Sequence, residues 1–305
     1  METVLVAGAS GLVGKSVVAL LKQKGFAVHT LSNSLSTDVT KQRYNWSPET
    51  GKIDIRCFDQ VEHIINLSGA GLFDHRWTKA YKKKIIDSRT QSTALLASTI
   101  LQHNYPIQTF VNASATGIYG ADTGNQWVEE ASPAGHDFLA HVVRLWEESL
   151  WKVTELKARK ICLRFGIVLS DQGGALTQMA MPVKYGVGSP FGAGSQYISW
   201  IHMEDLAHMI LFAIENASIQ GAYNAVAPLP VTNEEMIKGI ADRLEKKLWA
   251  PNIPGFVLEI VLGKERAATL LGGNRVKNFK IEQAGFNFRY KTLSEALHSF
   301  FSSKN

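Results

Sequence analysis

Apolar residues are distributed along the first half of the chain in two alternating textures. Thr3–Ala7 (TVLVA) is β-rich and nearly all apolar, as a strand covered on both faces should be, and residues 15–24 then carry Val17, Val18, Leu20 and Leu21 at helical spacing. A strand resumes over 26–31. Runs of the same kind follow at 63–67, 109–113 and 160–165, with helices predicted over 78–104 and 138–157. Strand and helix in alternation require crossovers, which are right-handed. The pattern therefore predicts an α/β fold, a Rossmann-like doubly wound parallel sheet with helices on both faces.

Beyond Gly166 the texture changes. A Gly- and Pro-rich stretch over 173–194 leads to a short strand-like run at 197–201 and a helix at 203–216. Residues 233–247 and 254–271 read as helical again, with Pro251 and Pro254 punctuating the gap. Two domains are expected: a sheet-building domain over 1–170 and a smaller, mostly helical substrate-side lobe over 171–305.

The motif with chemical content is Gly8-Ala9-Ser10-Gly11-Leu12-Val13-Gly14, directly after the first strand and opening the first helix. In that context the first glycine permits the tight turn, the second lets backbone approach a pyrophosphate, and the third lets helix and strand pack closely. Free N–H groups at the helix start would hold the phosphates. The bland alternative keeps the glycines for packing alone. At the end of the second strand, where a carboxylate would bind the ribose of NAD, the chain offers Ser32-Asn33-Ser34. Small polar groups there favour NADP over NAD. Asp38, the nearest acid, reads as a turn residue.

Composition narrows the classes. With 305 residues, 45% hydrophobic and 19% charged, the chain can bury a substantial core, and disorder is excluded. No apolar run approaches the ~18 residues of a membrane span, and a structural glycine motif stands where a secretory signal would be, so a soluble cytoplasmic protein is expected. Cys57 and Cys162 are too far apart for metal-ligand spacing, and no metal is expected. The net charge of +5 is concentrated at Lys79, Lys82, Lys83 and Lys84, with Arg76 upstream. This cluster reads as a solvated helix face or as a basic rim steering a phosphorylated small molecule. It lacks the interleaved aromatics of a nucleic-acid surface.

The glycine spacing, together with later segments, resembles the extended short-chain dehydrogenase/reductases, and more narrowly an atypical group within the NAD-dependent epimerase/dehydratase family that ends in a small domain of unknown function. The matching segments include Trp46-Ser47-Pro48-Glu49-Thr50-Gly51, Asn66-Leu67-Ser68-Gly69-Ala70, Arg76-Trp77-Thr78, Ser88-Arg89, Ser114-Ala115-Thr116-Gly117-Ile118-Tyr119-Gly120, Ser199-Trp200-Ile201-His202 and Glu282-Gln283-Ala284-Gly285-Phe286, in order along nearly the whole chain. The family-specific C-terminal region would cover about 250–300. By this resemblance Gly8, Ser10, Gly11, Leu12, Val13 and Gly14 line the pyrophosphate. Ser32 and Asn33 meet the adenosine ribose; Leu67, Ser68 and Gly69 lie along it, while Ala113 and Ser114 face the nicotinamide.

Extended reductases use a Tyr-x-x-x-Lys pair on the helix after that strand, the lysine depressing the tyrosine pKa. Residues 138–147 contain neither, the corresponding positions falling near Leu139 and Val143. Ser114, Thr116 and His141 are the substitute proton donors to consider, and Tyr119 reads as a packing aromatic. Arg76 and Arg89 are candidates for a substrate anion. Gly186–Gly192 and Gln196 suggest a flexible loop on the substrate side. His202, Glu204 and Asp205 read as the start of a helix with acids capping free N–H groups. Two functions remain open: an NADP(H)-binding epimerase or oxidoreductase acting on a small, sugar-nucleotide or anionic substrate, and a non-catalytic dinucleotide sensor. Neither nucleic acid nor membrane is expected as a partner. Extended relatives pair through helices beside the sheet, so a homodimer is open.

Overall fold

Every residue of β1 (Thr3–Ala7) is buried, as a strand flanked on both faces requires. The computed structural model describes residues 1–33 and 37–301; Ser34 lies outside them. After β1 come α1 (Leu12–Gln23), β2 (Ala27–Ser32), β3 (Arg43–Ser47), β4 (Lys52–Ile53), β5 (Val61–Asn66), α2 (Lys79–His103), β6 (Thr109–Ala115), β7 (Trp127–Val128), α3 (Phe138–Trp151) and β8 (Arg159–Phe165). The chain continues through β9 (Ile167–Leu169), α4 (Ala175–Lys184), β10 (Tyr197–Ile198), β11 (Trp200–His202), α5 (Met203–Glu215), β12 (Gly221–Ala225), β13 (Val231–Thr232) and α6 (Asn233–Arg243). It closes with α7 (Gly255–Leu262), α8 (Lys264–Leu271), β14 (Arg275–Val276), α9 (Phe279–Gln283) and α10 (Leu293–Phe301).

Eight strands hydrogen-bond in the order β12-β8-β6-β5-β1-β2-β3-β4. β1 pairs in parallel with both β2 and β5, β2 with β3, and β5 with β6; β4 runs antiparallel to β3. This is the expected Rossmann-like α/β sheet. From β1 the chain builds outward through β2 to β4 and then crosses back to β5 on the other side. That reversal opens a crevice beyond the carboxyl ends of β1 and β5, where ligands sit in such sheets. Beneath it, Leu5, Ile64 and Phe110 pack with Leu96 and Ile100 of α2 and Leu150 of α3. Cys57 and Cys162 are buried in the same cluster, and burial pushes the Cys57 thiol up.

Residues group into two compact units, each discontinuous in sequence. The first comprises Met1–Ala115, His141–Leu163 and Ala207–Tyr223; the second comprises Thr116–Ala140, Arg164–Leu206 and Asn224–Asn305. In the second unit Trp200, Met236, Ile240 and Leu297 form a separate core. Its loops depart from the sequence expectation. The Gly- and Pro-rich stretch contains α4, with Pro182 inside it. The single helix expected over 254–271 is broken into α7 and α8 at Gly263, whose φ of +86° ends the first helix. Among the described residues, no helix is long and apolar enough to cross a membrane.

Candidate functional site

At the end of β1 the chain turns at Gly8, whose φ is +79° and where a Cβ would stand 2.7 Å from the carbonyl carbon of Leu67. No side chain fits there, because the strap following β5 passes against the turn. Gly8 O accepts from Gly11 N–H at 3.1 Å, and Gly11 caps α1 with backbone alone. Without a side-chain cap or an acid in its first turn, the positive end of α1 is left for an anion. Gly14 closes the cradle: a Cβ on it would lie 2.2 Å from Gly8 O. A glycine cradle around an uncapped helix start fits a dinucleotide pyrophosphate.

The wall following β5 is held by a buried polar network. Asn66 Nδ2 donates to Asn112 Oδ1 at 2.9 Å and to Thr93 Oγ1 at 3.1 Å, while its Oδ1 accepts from the backbone N–H and the hydroxyl of Ser68. Both asparagines are fully buried, so the network fixes where Leu67, Ser68 and Gly69 lie. Further on, Ala70 N–H donates to Ser88 Oγ at 3.0 Å, which ties the strap to α2.

These elements enclose a cavity of about 820 Å³. Of the residues expected to hold the cofactor, Gly8, Ser10, Gly11, Ser32, Asn33, Leu67, Ser68 and Gly69 line it. Leu12, Val13, Gly14, Ala113 and Ser114 are not among the lining: Leu12 and Val13 begin α1, Gly14 packs on Gly8, and Ala113 and Ser114 are buried in β6. Sequence reasoning did not assign Trp46 and Glu49 to this wall, or Lys83, Lys84 and Gln91 of α2. Trp46 comes from β3, a strand the apolar pattern did not mark. Lys83 and Lys84 belong to the basic cluster; both are exposed on α2 and both border the cavity. Lys83 pairs with Asp87 one turn on, whereas Lys84 makes no ion pair among the described residues. Lys84 also borders a smaller hollow of about 350 Å³ with His75, Arg76, Thr78 and Tyr81.

Arg89 is 9% exposed, its guanidinium donating to Ile85 O at 3.0 Å and lying 5.1 Å from the Trp146 ring centre. A Cβ on Gly69 would meet its guanidinium carbon at 3.2 Å, so the cation sits directly behind the cavity wall. Burial pulls its pKa down to about 10, and no carboxylate pairs with it among the described residues. At the end of β6, Ser114 Oγ donates to Glu147 Oε1 of α3 at 2.6 Å, with both side chains buried. His141 is exposed and contacts Arg144 through Nδ1 at 3.0 Å.

The remaining candidates lie in the second unit. Thr116 opens the 3-10 turn Thr116–Tyr119. Tyr119 OH donates to Asn224 Oδ1 at 2.7 Å and accepts from Arg164 at 3.1 Å, and burial pushes its pKa up to about 12. It packs, as expected, and is a poor acid at neutral pH. The loop expected to be flexible is instead pinned. Gln196 Nε2 donates to Phe191 O and Leu270 O, Ser189 Oγ donates to Pro251 O, and Phe191 N–H to Asn233 Oδ1. His202 stacks between Tyr290 and Phe300; its Nδ1 accepts from Glu204 N–H and its Nε2 donates to Ser299 Oγ. Burial drops its pKa to about 4. Asp205 accepts the backbone N–H groups of Arg289 and Tyr290, a use that the expected helix-start role did not include.

The model of the NAD dependent epimerase/dehydratase family matches residues 4–225, and that of a domain of unknown function, DUF1731, matches 253–300. An epimerase family protein of Mycobacterium leprae is 33% identical over 294 residues, 96% of this chain and 94% of its own. A human epimerase family protein crystallised with NADPH is similar at a TM-score of 0.89 and 28% identity over 99% of each chain. A nucleoside-diphosphate sugar epimerase from Corynebacterium glutamicum gives a TM-score of 0.80 at 30% identity, over 99% of this chain and 58% of that one.

Proposed function

The chain belongs to the NAD-dependent epimerase/dehydratase family, and from that membership we propose that it binds NADP(H) in the crevice of β1, β2 and β5 and acts on a small anionic or sugar-nucleotide substrate. The observation that carries this reading is the charge along the cavity. The β2 end contributes Ser32 and Asn33 rather than a carboxylate; of the acids on the lining, Asp87 is paired with Lys83 and Glu49 follows β3, while α2 contributes Lys84, which makes no ion pair among the described residues. A 2′-phosphate needs a cation and no acid at the end of the second strand. The NADPH in the human relative supports the same choice. The N–H groups of Leu12 and Val13 in the uncapped first turn of α1 would hold the pyrophosphate, Trp46 would flank the adenosine, and Ser68 would meet the ribose beyond. Bound there, the dinucleotide supplies hydride exchange at its nicotinamide.

Proton transfer falls to this chain's own residues. The helix that carries Tyr and Lys in extended reductases has Leu139 and Val143 instead. We assign the role to Ser114, whose hydroxyl is oriented by the Glu147 carboxylate at 2.6 Å. Arg89, a buried cation behind Gly69, and Arg76 in the adjoining hollow are the groups through which an anionic substrate would be drawn. Turnover is tested by incubating protein and NADPH or NADP with nucleotide sugars and simple carbonyl compounds, following reduced nicotinamide by absorbance. Activity lost in both Ser114→Ala and Glu147→Gln, with cofactor affinity kept, supports the assignment. The missing pair also favours a second reading, a dinucleotide sensor: no turnover, but a cofactor-dependent change of mass on chromatography.

A further inference from the structure

At the other end of β1 and β5 from the crevice, the register between the strands slips. Thr3 pairs with Val61 but Val4 pairs with His63, so Glu62 is an extra residue in β5. In an unbroken strand residues 62 and 63 point to opposite faces, and a bulge re-aims one of them. Here a carboxylate oxygen of Glu62, one of Glu2 and a ring nitrogen of His63 lie within 4.8 Å of one another.

The cluster holds unmet polar atoms. His63 is 4% exposed with no hydrogen bond at either ring nitrogen, and Glu62 Oε2 is buried without a partner. Buried polar atoms in folded proteins are ordinarily satisfied, so Glu62 Oε2 and a His63 ring nitrogen left open within one cluster point to an occupant. The nearest contact is Glu2 Oε2, 3.5 Å from His63 Nε2. Two ligands bonded to Zn²⁺ at roughly 2.0–2.1 Å in a tetrahedron stand about 3.4 Å apart, which that contact matches. The neighbouring cation, Arg159, directs its donors to Thr109 Oγ1 and to the carbonyls of Ala213, Ile214 and Ile219, so it pairs with neither carboxylate.

We propose that Glu2, Glu62 and His63 form a binding site for a divalent transition-metal cation such as Zn²⁺, with water completing the shell. Glu2, the exposed member, can swing onto the ion, and the bound ion staples the chain's first residues to the centre of the sheet. One nitrogen and two carboxylates suit zinc better than Mg²⁺, which prefers an octahedral oxygen shell.

The test titrates chelator-stripped full-length protein with Zn²⁺, and separately with Mg²⁺, by calorimetry. Wild type is compared with Glu2→Gln and Glu62→Gln, changes of nearly identical shape, with NADPH titration as the control for folding. Loss of an outer-shell partner weakens metal sites by about 10–100-fold, so loss of a direct ligand should weaken zinc by at least that much. The expected result is one zinc per chain, lost in both variants, with no Mg²⁺ heat. Zinc bound equally by wild type and both variants, or not bound at all, overturns the site. Exposed histidines such as His136 and His141 contribute the same background to all three proteins.

Discussion

Gly14 sets two physical effects against each other. Inside a helix, Gly→Ala is worth about 1 kcal/mol in favour of alanine. Position 14 is in α1, so propensity alone makes Gly14→Ala stabilising. Its new Cβ would stand 2.2 Å from Gly8 O and 2.7 Å from Ala9 Cα, both backbone atoms with no flexible end to move aside. Overpacking of this kind costs about 1–3 kcal/mol, and here it must displace the turn that presents the phosphate-binding N–H groups. The net expectation is a loss of up to about 2 kcal/mol, a fall in Tm of up to several degrees at about 2–4 °C per kcal/mol. NADPH affinity should fall by about tenfold or more, the equivalent of about 1.4 kcal/mol. Thermal unfolding and a fluorescence titration on the same preparation check both. A raised Tm with full affinity would refute the packing argument.

Asn33→Asp places a carboxylate on the cavity wall and should weaken NADPH while sparing NADH; Lys84→Ala should do the same, and parallel titrations decide both. His202 titrates near 4 when folded and at 6.5 when not, so as pH falls the unfolded chain takes up the proton first and stability is lost between those values. At about 1.4 kcal/mol per pH unit this is roughly 3 kcal/mol. Urea unfolding at several pH values should show that slope in the wild type and its reduction in His202→Gln. Tyr119→Phe leaves Asn224 Oδ1 without its donor and should cost about 1–3 kcal/mol in denaturant unfolding, without altering any pH–rate profile near neutrality.

The sheet was legible because buried parallel strands write themselves as apolar runs, and the glycine cradle because Gly8 and Gly14 each exclude a Cβ. β3 was not, since Arg43, Asn45 and Ser47 alternate with its buried residues. That strand carries Trp46 into the cavity, so one wall of the site went unassigned. Lys83 and Lys84 were visible as charge, but only the packing of α2 places them on the same cavity as Ser32 and Asn33. Arg89 could be counted as a cation; that it lies buried behind Gly69 depends on Trp146, 57 residues away in sequence and stacked on it. The joining of Glu2 to Glu62 and His63 is set by strand register and a bulge, which single-sequence patterns do not carry.

Titration with NADPH and NADH, followed by quenching of the seven tryptophans, tests the central claim most directly. Trp46 lines the cavity, so Trp46→Phe should remove part of the quenching signal. The account predicts saturable NADPH binding at least about tenfold tighter than NADH, a difference of about 1.4 kcal/mol. Tighter NADH binding would contradict the reading of Ser32, Asn33 and Lys84, and binding of neither would contradict the dinucleotide site itself.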